Sequence, residues 1–112
     1  SVFIRKNIKP FLTTLCKKVD IDLDKEKSKM HFAIHPGGPK IIDYVIDAIG
    51  LSKVQASWSY EILRRQGNMS SATIPHIFNE IVNDSNIKSG TKVVAMAFGP
   101  GLTATGLLLE KI

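Results

Sequence analysis

The chain has 112 residues, of which 44% are hydrophobic and 22% are charged, and its formal net charge at pH 7 is +5. These values are typical of one soluble globular domain and exclude an intrinsically disordered chain. The apolar runs fall far short of the ~20 residues that span a bilayer, so we predict no membrane segment. The first residue is serine rather than methionine, which we take to indicate a processed product or a piece of a longer protein.

The cysteine and histidine content excludes several kinds of site. The one cysteine, Cys16, rules out an internal disulfide framework and suits a reducing, cytoplasmic location. The three histidines and Cys16 show no zinc-ligand spacing, so no metal is predicted. The lysines are scattered rather than interleaved with aromatic residues, and no recognition motif supports a nucleic-acid partner.

The first part of the chain predicts a helix, a connection and a strand. Residues 2–19 place apolar side chains at helical spacing, with Pro10 either kinking the helix or marking its start. This apolar face comprises Ile4, Ile8, Phe11, Leu12, Leu15 and Val19. We interpret the neighbouring Cys16 as a packing residue, because no histidine or glycine turn lies close by in the sequence to activate it. The charged residues 20–29 predict an exposed connection, and residues 30–35 predict a short strand.

Three further helices, separated by short connections, are predicted in the middle of the chain. Residues 39–49 begin with a proline and end just before Gly50, which is favourable punctuation for a helix. A second helix over residues 57–66 takes Ser57 as its N-cap. A third helix leaves His76 in a surface or packing role, and its apolar face comprises Ile74, Ile77, Phe78 and Ile81.

The end of the chain predicts a β-hairpin. Residues 93–98 form a continuous apolar run, which is typical of a central strand buried on both faces. A Gly-Pro-Gly turn at residues 99–101 then leads into a second strand over residues 102–112. The predicted fold class is therefore α/β, with a mixed sheet of about three strands and packed helices.

Three turns that contain glycine carry the chemistry: HPGGP at residues 35–39, GNMSSA at residues 67–72 and AFGPG at residues 97–101. The candidate polar pair is His35, at the end of a predicted strand, and Asn68, just before a predicted helix. Two uncharged donors aimed at one point would form an oxyanion hole for an enolate or a tetrahedral oxyanion. The spacing alone leaves open a simpler alternative, in which His35 caps backbone carbonyls and Asn68 serves its turn.

The three motifs, in this order and at this spacing, resemble the C-terminal part of type III polyketide synthases. That family includes chalcone synthase and bacterial alkylpyrone and alkylresorcinol synthases. The resemblance implies the C-terminal part of a thiolase-like fold, with residues 1–112 as a single chalcone/stilbene synthase-like domain of a larger enzyme. Such an enzyme would be a cytoplasmic, homodimeric acyltransferase that condenses malonyl-CoA onto an acyl-CoA starter with loss of CO₂ and then cyclises the product.

The resemblance also implies roles for individual residues. His35 and Asn68 would bind the malonyl thioester carbonyl, promote decarboxylation and stabilise the enolate. Lys40 is either a contact for coenzyme A or a solvated lysine, and both readings stay open. Coenzyme A thioesters would be substrates, with no further cofactor. The implied substrate-binding residues, at the thioester, at coenzyme A and at the cyclisation cavity, are Gly37, Gly38, Lys40, Phe98, Gly99, Pro100 and Gly101.

The nucleophilic cysteine of this family lies in an N-terminal half that this chain does not include, and no motif around Cys16 matches it. The fragment alone is therefore predicted to be inactive, and its partner would be the missing half of the same enzyme. Two alternatives stay open. One is a non-catalytic binding or interaction module built on a half-thiolase fold. The other is a ketoacyl-synthase III-like condensing enzyme that uses a carrier protein.

Overall fold

A three-stranded mixed sheet forms the frame of the molecule. The computed structural model describes residues 2–35, 39–66, 73–99 and 103–112. The strands are β1 (His31–Ile34), β2 (Lys92–Gly99) and β3 (Thr103–Glu110). β1 is parallel to β2, with Ala33 opposite Ala95, and β2 is antiparallel to β3, with Met96 opposite Gly106. The strand order β1-β2-β3 places β2 in the centre, which confirms the prediction from its continuous apolar run.

Helices surround this sheet, as the α/β prediction requires. Their bounds are α1 (Val2–Lys17), α2 (Leu23–Glu26), α3 (Pro39–Ile49), α4 (Ser57–Gln66) and α5 (Thr73–Asn83). Two 3₁₀ segments, Lys27–Lys29 and Lys53–Ala56, precede β1 and α4. α1 continues through Pro10 rather than starting there. Within the described ranges, none of the helices has the length and apolar character needed to cross a membrane.

The core divides into two clusters because successive strand residues face opposite sides of the sheet. Phe32 and Ile34 of β1 lie in the larger cluster, which also holds buried residues of α1 and α3. Cys16 is fully buried in this cluster, which confirms its interpretation as a packing residue. The second cluster, on the α4 and α5 side, holds Ala33, Ile62, Ile77, Ile81, Val93 and Ala95.

The predicted bounds of the third α-helix, α3, are confirmed at both ends. Gly50 has a φ of +78°, a conformation that favours glycine, and its N–H donates to the carbonyl of Ile46 over 2.9 Å. The Lys27 ammonium donates to the carbonyl of Ile49 over 2.7 Å. The glycine turn and the lysine therefore satisfy carbonyls that the end of a helix leaves without partners.

The prediction that residues 20–29 form an exposed connection is wrong. Ile21 and Leu23 are both buried in the larger cluster, and Leu23 begins the short helix α2. The Asp22 carboxylate accepts from the Lys25 N–H over 3.3 Å and caps this helix. The sequence does not reveal this burial, because two apolar residues among eight polar ones do not form a helical stripe.

Two details at helix ends also differ from the predictions. Val19 does not belong to the apolar face, because α1 ends at Lys17 and the chain turns through Asp20, whose φ is +59°. Val19 is 53% exposed as a result. Ser57 is not an N-cap, because it is already helical where the preceding 3₁₀ segment runs into α4.

Candidate active site

His35 lies immediately beyond β1, and its backbone N–H donates to the Met96 carbonyl over 2.8 Å. This bond extends the parallel pairing with β2 by one residue. The residue is half-buried, and burial lowers the pKa of its imidazole. The ring is therefore neutral near pH 7, and a neutral imidazole has one N–H donor and one acceptor nitrogen.

The carboxyl ends of β1 and β2 lie at the same edge of the sheet because the two strands are parallel. Phe98 and Gly99 are the last residues of β2, so the structure brings the backbone of both to the edge where His35 lies. Lys40 is in the first turn of α3, and its side chain is exposed. The other predicted site residues lie outside the described residues: Gly37, Gly38, Asn68, Pro100 and Gly101.

Ser59 of α4 also contacts this end of β1 and was not predicted. Its hydroxyl oxygen accepts from the Ile34 N–H over 2.9 Å and donates to the Phe32 carbonyl over 3.3 Å. The side chain is fully buried. A signal exists in the sequence, since Ser59 lies one helical turn before Ile62 on the inward face of α4, and a buried hydroxyl requires a partner.

The opposite end of β1 has a different character. A cleft of about 440 Å³ opens there, between the segment that precedes β1, the start of α4 and the connection that follows α5. His31 lines this cleft, is 7% exposed, and its Nε2 has no hydrogen-bond partner among the described residues. Burial lowers the pKa of His31, and the nearby Asp84 carboxylate opposes this shift.

Asp84 organises this opposite end through several contacts. Its carboxylate accepts from the Trp58 indole N–H over 2.8 Å and from the Asn86 N–H over 2.9 Å. These bonds lower the pKa of the carboxyl group, with the Trp58 bond as the largest cause. The Lys111 ammonium donates to the carbonyls of Asp84 and Ile87. Asp84 therefore fastens structural elements together and offers little free capacity for chemistry.

Neither a metal-binding cluster nor an exposed cysteine accompanies His35 in the part of the chain that the structure describes. No group of three or more His, Cys, Asp or Glu side chains is placed there to hold a metal ion. Burial raises the pKa of the Cys16 thiol, and Glu26 adds to the shift. A buried, protonated thiol is inert, so Cys16 does not act as a nucleophile.

Comparison with known proteins assigns the chain to a family. Residues 2–112 match the family described as chalcone and stilbene synthases, C-terminal domain. The chain belongs to this family. This confirms the resemblance to type III polyketide synthases on which the sequence motifs rested.

Individual relatives agree with this assignment. An "Alpha-pyrone synthesis polyketide synthase-like Pks18" of Mycobacterium tuberculosis is 39% identical over 94 residues, which cover 83% of this chain and 22% of that protein. The solved structure of PKS-I from the brown alga Ectocarpus siliculosus superposes with a TM-score of 0.82 at 30% identity. That match covers 97% of this chain and 30% of the algal one.

The solved type III polyketide synthase domain of Steely1 from Dictyostelium superposes with a TM-score of 0.86 at 25% identity. It covers 99% of this chain and 31% of that chain. These neighbours confirm the thiolase-like fold. The chain spans about a quarter of the length of the curated relatives it matches.

Proposed function

We propose that this chain is the C-terminal domain of an acyltransferase that extends an acyl-CoA starter with malonyl-CoA units and then cyclises the product. The observation that carries the proposal is the position of His35. A half-buried imidazole, with its pKa lowered by burial, lies directly after β1 in a chain of the chalcone and stilbene synthase family. The enzyme is proposed to be a cytoplasmic homodimer in which the N-terminal half of the same protein packs against this domain.

His35 and Asn68 are the catalytic residues of the proposal. The imidazole N–H and the amide N–H donate to the thioester carbonyl oxygen of malonyl-CoA. The bond between the malonyl carboxylate and C2 breaks, CO₂ leaves, and the electron pair of that bond forms an enolate whose oxygen both donors stabilise. Each such donor typically lowers the barrier by about 3 kcal/mol.

The enolate carbon then attacks an acyl group held as a thioester on a cysteine. A carbon–carbon bond forms, the carbon–sulfur bond breaks, and the cysteine leaves as a thiolate. The buried Cys16 is unsuited to this role, so the cysteine comes from outside this chain. The 112-residue chain alone is therefore proposed to be inactive in condensation.

The remaining residues are proposed to hold the substrate. Gly37 and Gly38 allow the thioester and the pantetheine arm to approach the backbone closely. The exposed Lys40 supplies an ammonium group to the phosphates of coenzyme A. Residues 98–101, which include the last two residues of β2, shape the cavity in which the product cyclises.

Release of CO₂ from malonyl-CoA by the full-length protein that contains this chain tests the catalytic roles. We expect His35→Gln and Asn68→Ala each to slow release by at least about 10²-fold. His76→Gln is a matched control, because His76 is exposed on α5, and it leaves the rate unchanged. Wild-type release by the His35→Gln variant contradicts the proposal.

The same assay separates the two alternative functions. A non-catalytic interaction module releases no CO₂ in the full-length wild-type protein. A ketoacyl-synthase III-like enzyme releases CO₂ from a malonyl carrier protein but not from malonyl-CoA. We expect release from malonyl-CoA, and no release when the 112-residue chain is assayed alone.

A further inference from the structure

Backbone N–H and C=O groups on the outer edge of β1 form hydrogen bonds with side chains in place of a neighbouring strand. Alternate residues of a strand direct their backbone groups to opposite sides. The N–H of His35 points toward β2, where it meets Met96, so the N–H of Ile34 and the carbonyl of Phe32 point away from β2. In an edge strand these groups remain unpaired unless another part of the chain reaches them.

Two residues of one continuous helical stretch reach this edge. The Gln55 side-chain amide donates to the carbonyl of Met30 over 3.0 Å. Four residues later, the Ser59 hydroxyl accepts from Ile34 and donates to Phe32. A hydroxyl has one donor and two lone pairs, so Ser59 alone satisfies both of these edge groups. Gln55 and Ser59 thus make the hydrogen bonds that a neighbouring strand would make with this edge of β1.

The two bonds of Ser59 lie where they affect His35 most. The peptide N–H of Ile34 is held by Ser59 from the outer side, and the next N–H, that of His35, is held by Met96 from the inner side. These two bonds fix the peptide planes on either side of the Ile34 Cα, and with them the φ and ψ angles of Ile34. They therefore set the direction in which the backbone enters His35 and from which its side chain leaves the strand.

The hydrogen bonds of Ser59 are shielded from water because all three residues involved are buried. Ser59 has no exposed surface, and Ile34 and Phe32 are also fully buried. Water therefore does not replace the hydroxyl easily, and its removal leaves a buried N–H and a buried carbonyl without partners. Ser59 is the third residue of α4 and lies on its inward face, so its hydroxyl must find partners inside the protein.

From these contacts we propose that Ser59 is a positioning residue for His35 and sets the orientation in which the imidazole meets the thioester carbonyl. The inference rests on the proposed function only for its consequence in catalysis. The contacts themselves are a property of the chain. A catalytic group held in its productive geometry by hydrogen-bonded neighbours needs no reorganisation during the reaction.

The first part of the test needs no activity. Hydrogen exchange and imidazole NMR signals are measured on the full-length protein that contains this chain, for the wild type and for Ser59→Ala. We expect the Ile34 amide to exchange at least about tenfold faster in the variant, and the His35 ring signals to shift. Ser57→Ala is the matched control, because Ser57 is exposed two residues earlier on the same helix, and it changes neither readout.

The second part measures CO₂ release from malonyl-CoA by the full-length protein. Ser59→Ala is expected to lower kcat about tenfold while KM changes less than about twofold, because orientation and not substrate affinity is lost. Ser59→Thr keeps the hydroxyl and is expected to restore kcat to within about threefold of the wild type. If Ser59→Ala does not fold, Ser59→Cys, whose thiol bonds weakly, is expected to give an intermediate loss of kcat.

The outcomes separate this inference from the proposed function. A folded Ser59→Ala variant with wild-type kcat and unchanged His35 ring signals overturns the positioning role, even if His35→Gln is inactive. A Ser59→Thr variant as slow as Ser59→Ala also overturns it. If His35→Gln retains full activity, the proposed function fails, and the exchange and ring signals of the full-length protein still decide whether Ser59 positions His35.

Discussion

The two ends of β1 each carry a histidine, and the comparison between them shows how position decides a role. His31 and His35 lie on the same strand line four residues apart, and burial lowers the pKa of both. His31 is closed in among the elements that Asp84 holds together, and its Nε2 has no partner among the described residues. His35 is only half-buried and stands at the edge where parallel strands end. Access, rather than residue type or pKa direction, separates the two.

The hydrogen bonds around the two histidines differ in the same sense. At the His31 end, the side chains of Asp84 and Lys111 bind other parts of the protein and join structural elements. At the His35 end, Ser59 and Met96 bind the backbone from the two sides of the strand. The first set of bonds ties separate elements together, and the second fixes the end of one strand.

The largest expected effect on stability comes from a substitution at the centre of β1, which weakens the packing of the whole strand. Phe32 is fully buried at the centre of β1, so Phe32→Ala leaves a cavity beneath the strand. We expect the free energy of unfolding to fall by about 3–5 kcal/mol, measured by urea denaturation. Val54→Ala, at a residue that is 76% exposed, serves as the control and changes stability by less than about 0.5 kcal/mol. A loss below about 1 kcal/mol in Phe32→Ala would show that β1 does not anchor the core.

A smaller effect is expected when only the His31 end is opened. Asp84→Ala removes the carboxylate that accepts from the Trp58 indole and from the Asn86 N–H. We expect Tm to fall by a few degrees and the fluorescence of Trp58 to change, because its N–H loses a partner. The NMR signals of the His35 ring stay at their wild-type positions. A shift of those signals would mean that the two ends are coupled.

The pH dependence of stability distinguishes the histidines further. A histidine whose folded pKa is lowered binds its proton more readily in the unfolded state, so stability falls as pH drops below the unfolded pKa of about 6.5. We expect the chain to be less stable at pH 5 than at pH 7.5. His31→Phe should remove the larger part of this slope, since His31 is the more buried of the two.

Asp84 contributes to the pH dependence of stability in a lower pH range than the histidines, so the two contributions can be measured separately. Its folded pKa is lowered, so its stabilising contribution is present above the unfolded pKa of about 3.9 and is lost as pH falls through the folded value. Unfolding measurements between pH 5 and 7.5 therefore report the histidines. A slope in that range that persists without both His31 and His35 would contradict this assignment.

The smallest effect is expected at an ion-pair cluster on the surface of α4. Glu61 pairs with Arg64 and Arg65, and its pKa is lowered to about 2, chiefly by the Arg64 hydrogen bond. Exposed ion pairs contribute little because solvent screens them. Glu61→Gln should change Tm by less than ~2 °C, measured at low and high salt. A larger, salt-independent decrease would show that the cluster is part of the core packing.

Much of the fold was predictable because local signals agreed with tertiary packing. The proline at the start of α3 and the glycine at φ +78° after it mark both ends of that helix. The apolar run of β2 similarly indicated a central strand. Residues 20–29 were predicted wrongly, because Ile21 and Leu23 are buried by packing into the larger cluster and two apolar residues among charged ones leave no local pattern.

The site was predictable only where chemistry and position coincide along the sequence. His35 stands out because a strand and a glycine turn meet there. Ser59 carries only the weak signal of its place on the inward face of α4, and His31 carries none. The edge of β1 and the cleft that surround them are created by other elements. The meeting of His35 with Asn68 stays a prediction.

The most direct test of this account applies one substitution to both ends of β1. CO₂ release from malonyl-CoA is measured with the full-length protein carrying either His35→Phe or His31→Phe. We expect His35→Phe to lose at least about 10²-fold in kcat, because a donor to the enolate oxygen is removed. His31→Phe should retain kcat within about threefold. Equal losses in the two variants, or a greater loss in folded His31→Phe, would contradict the assignment of catalysis to the His35 end.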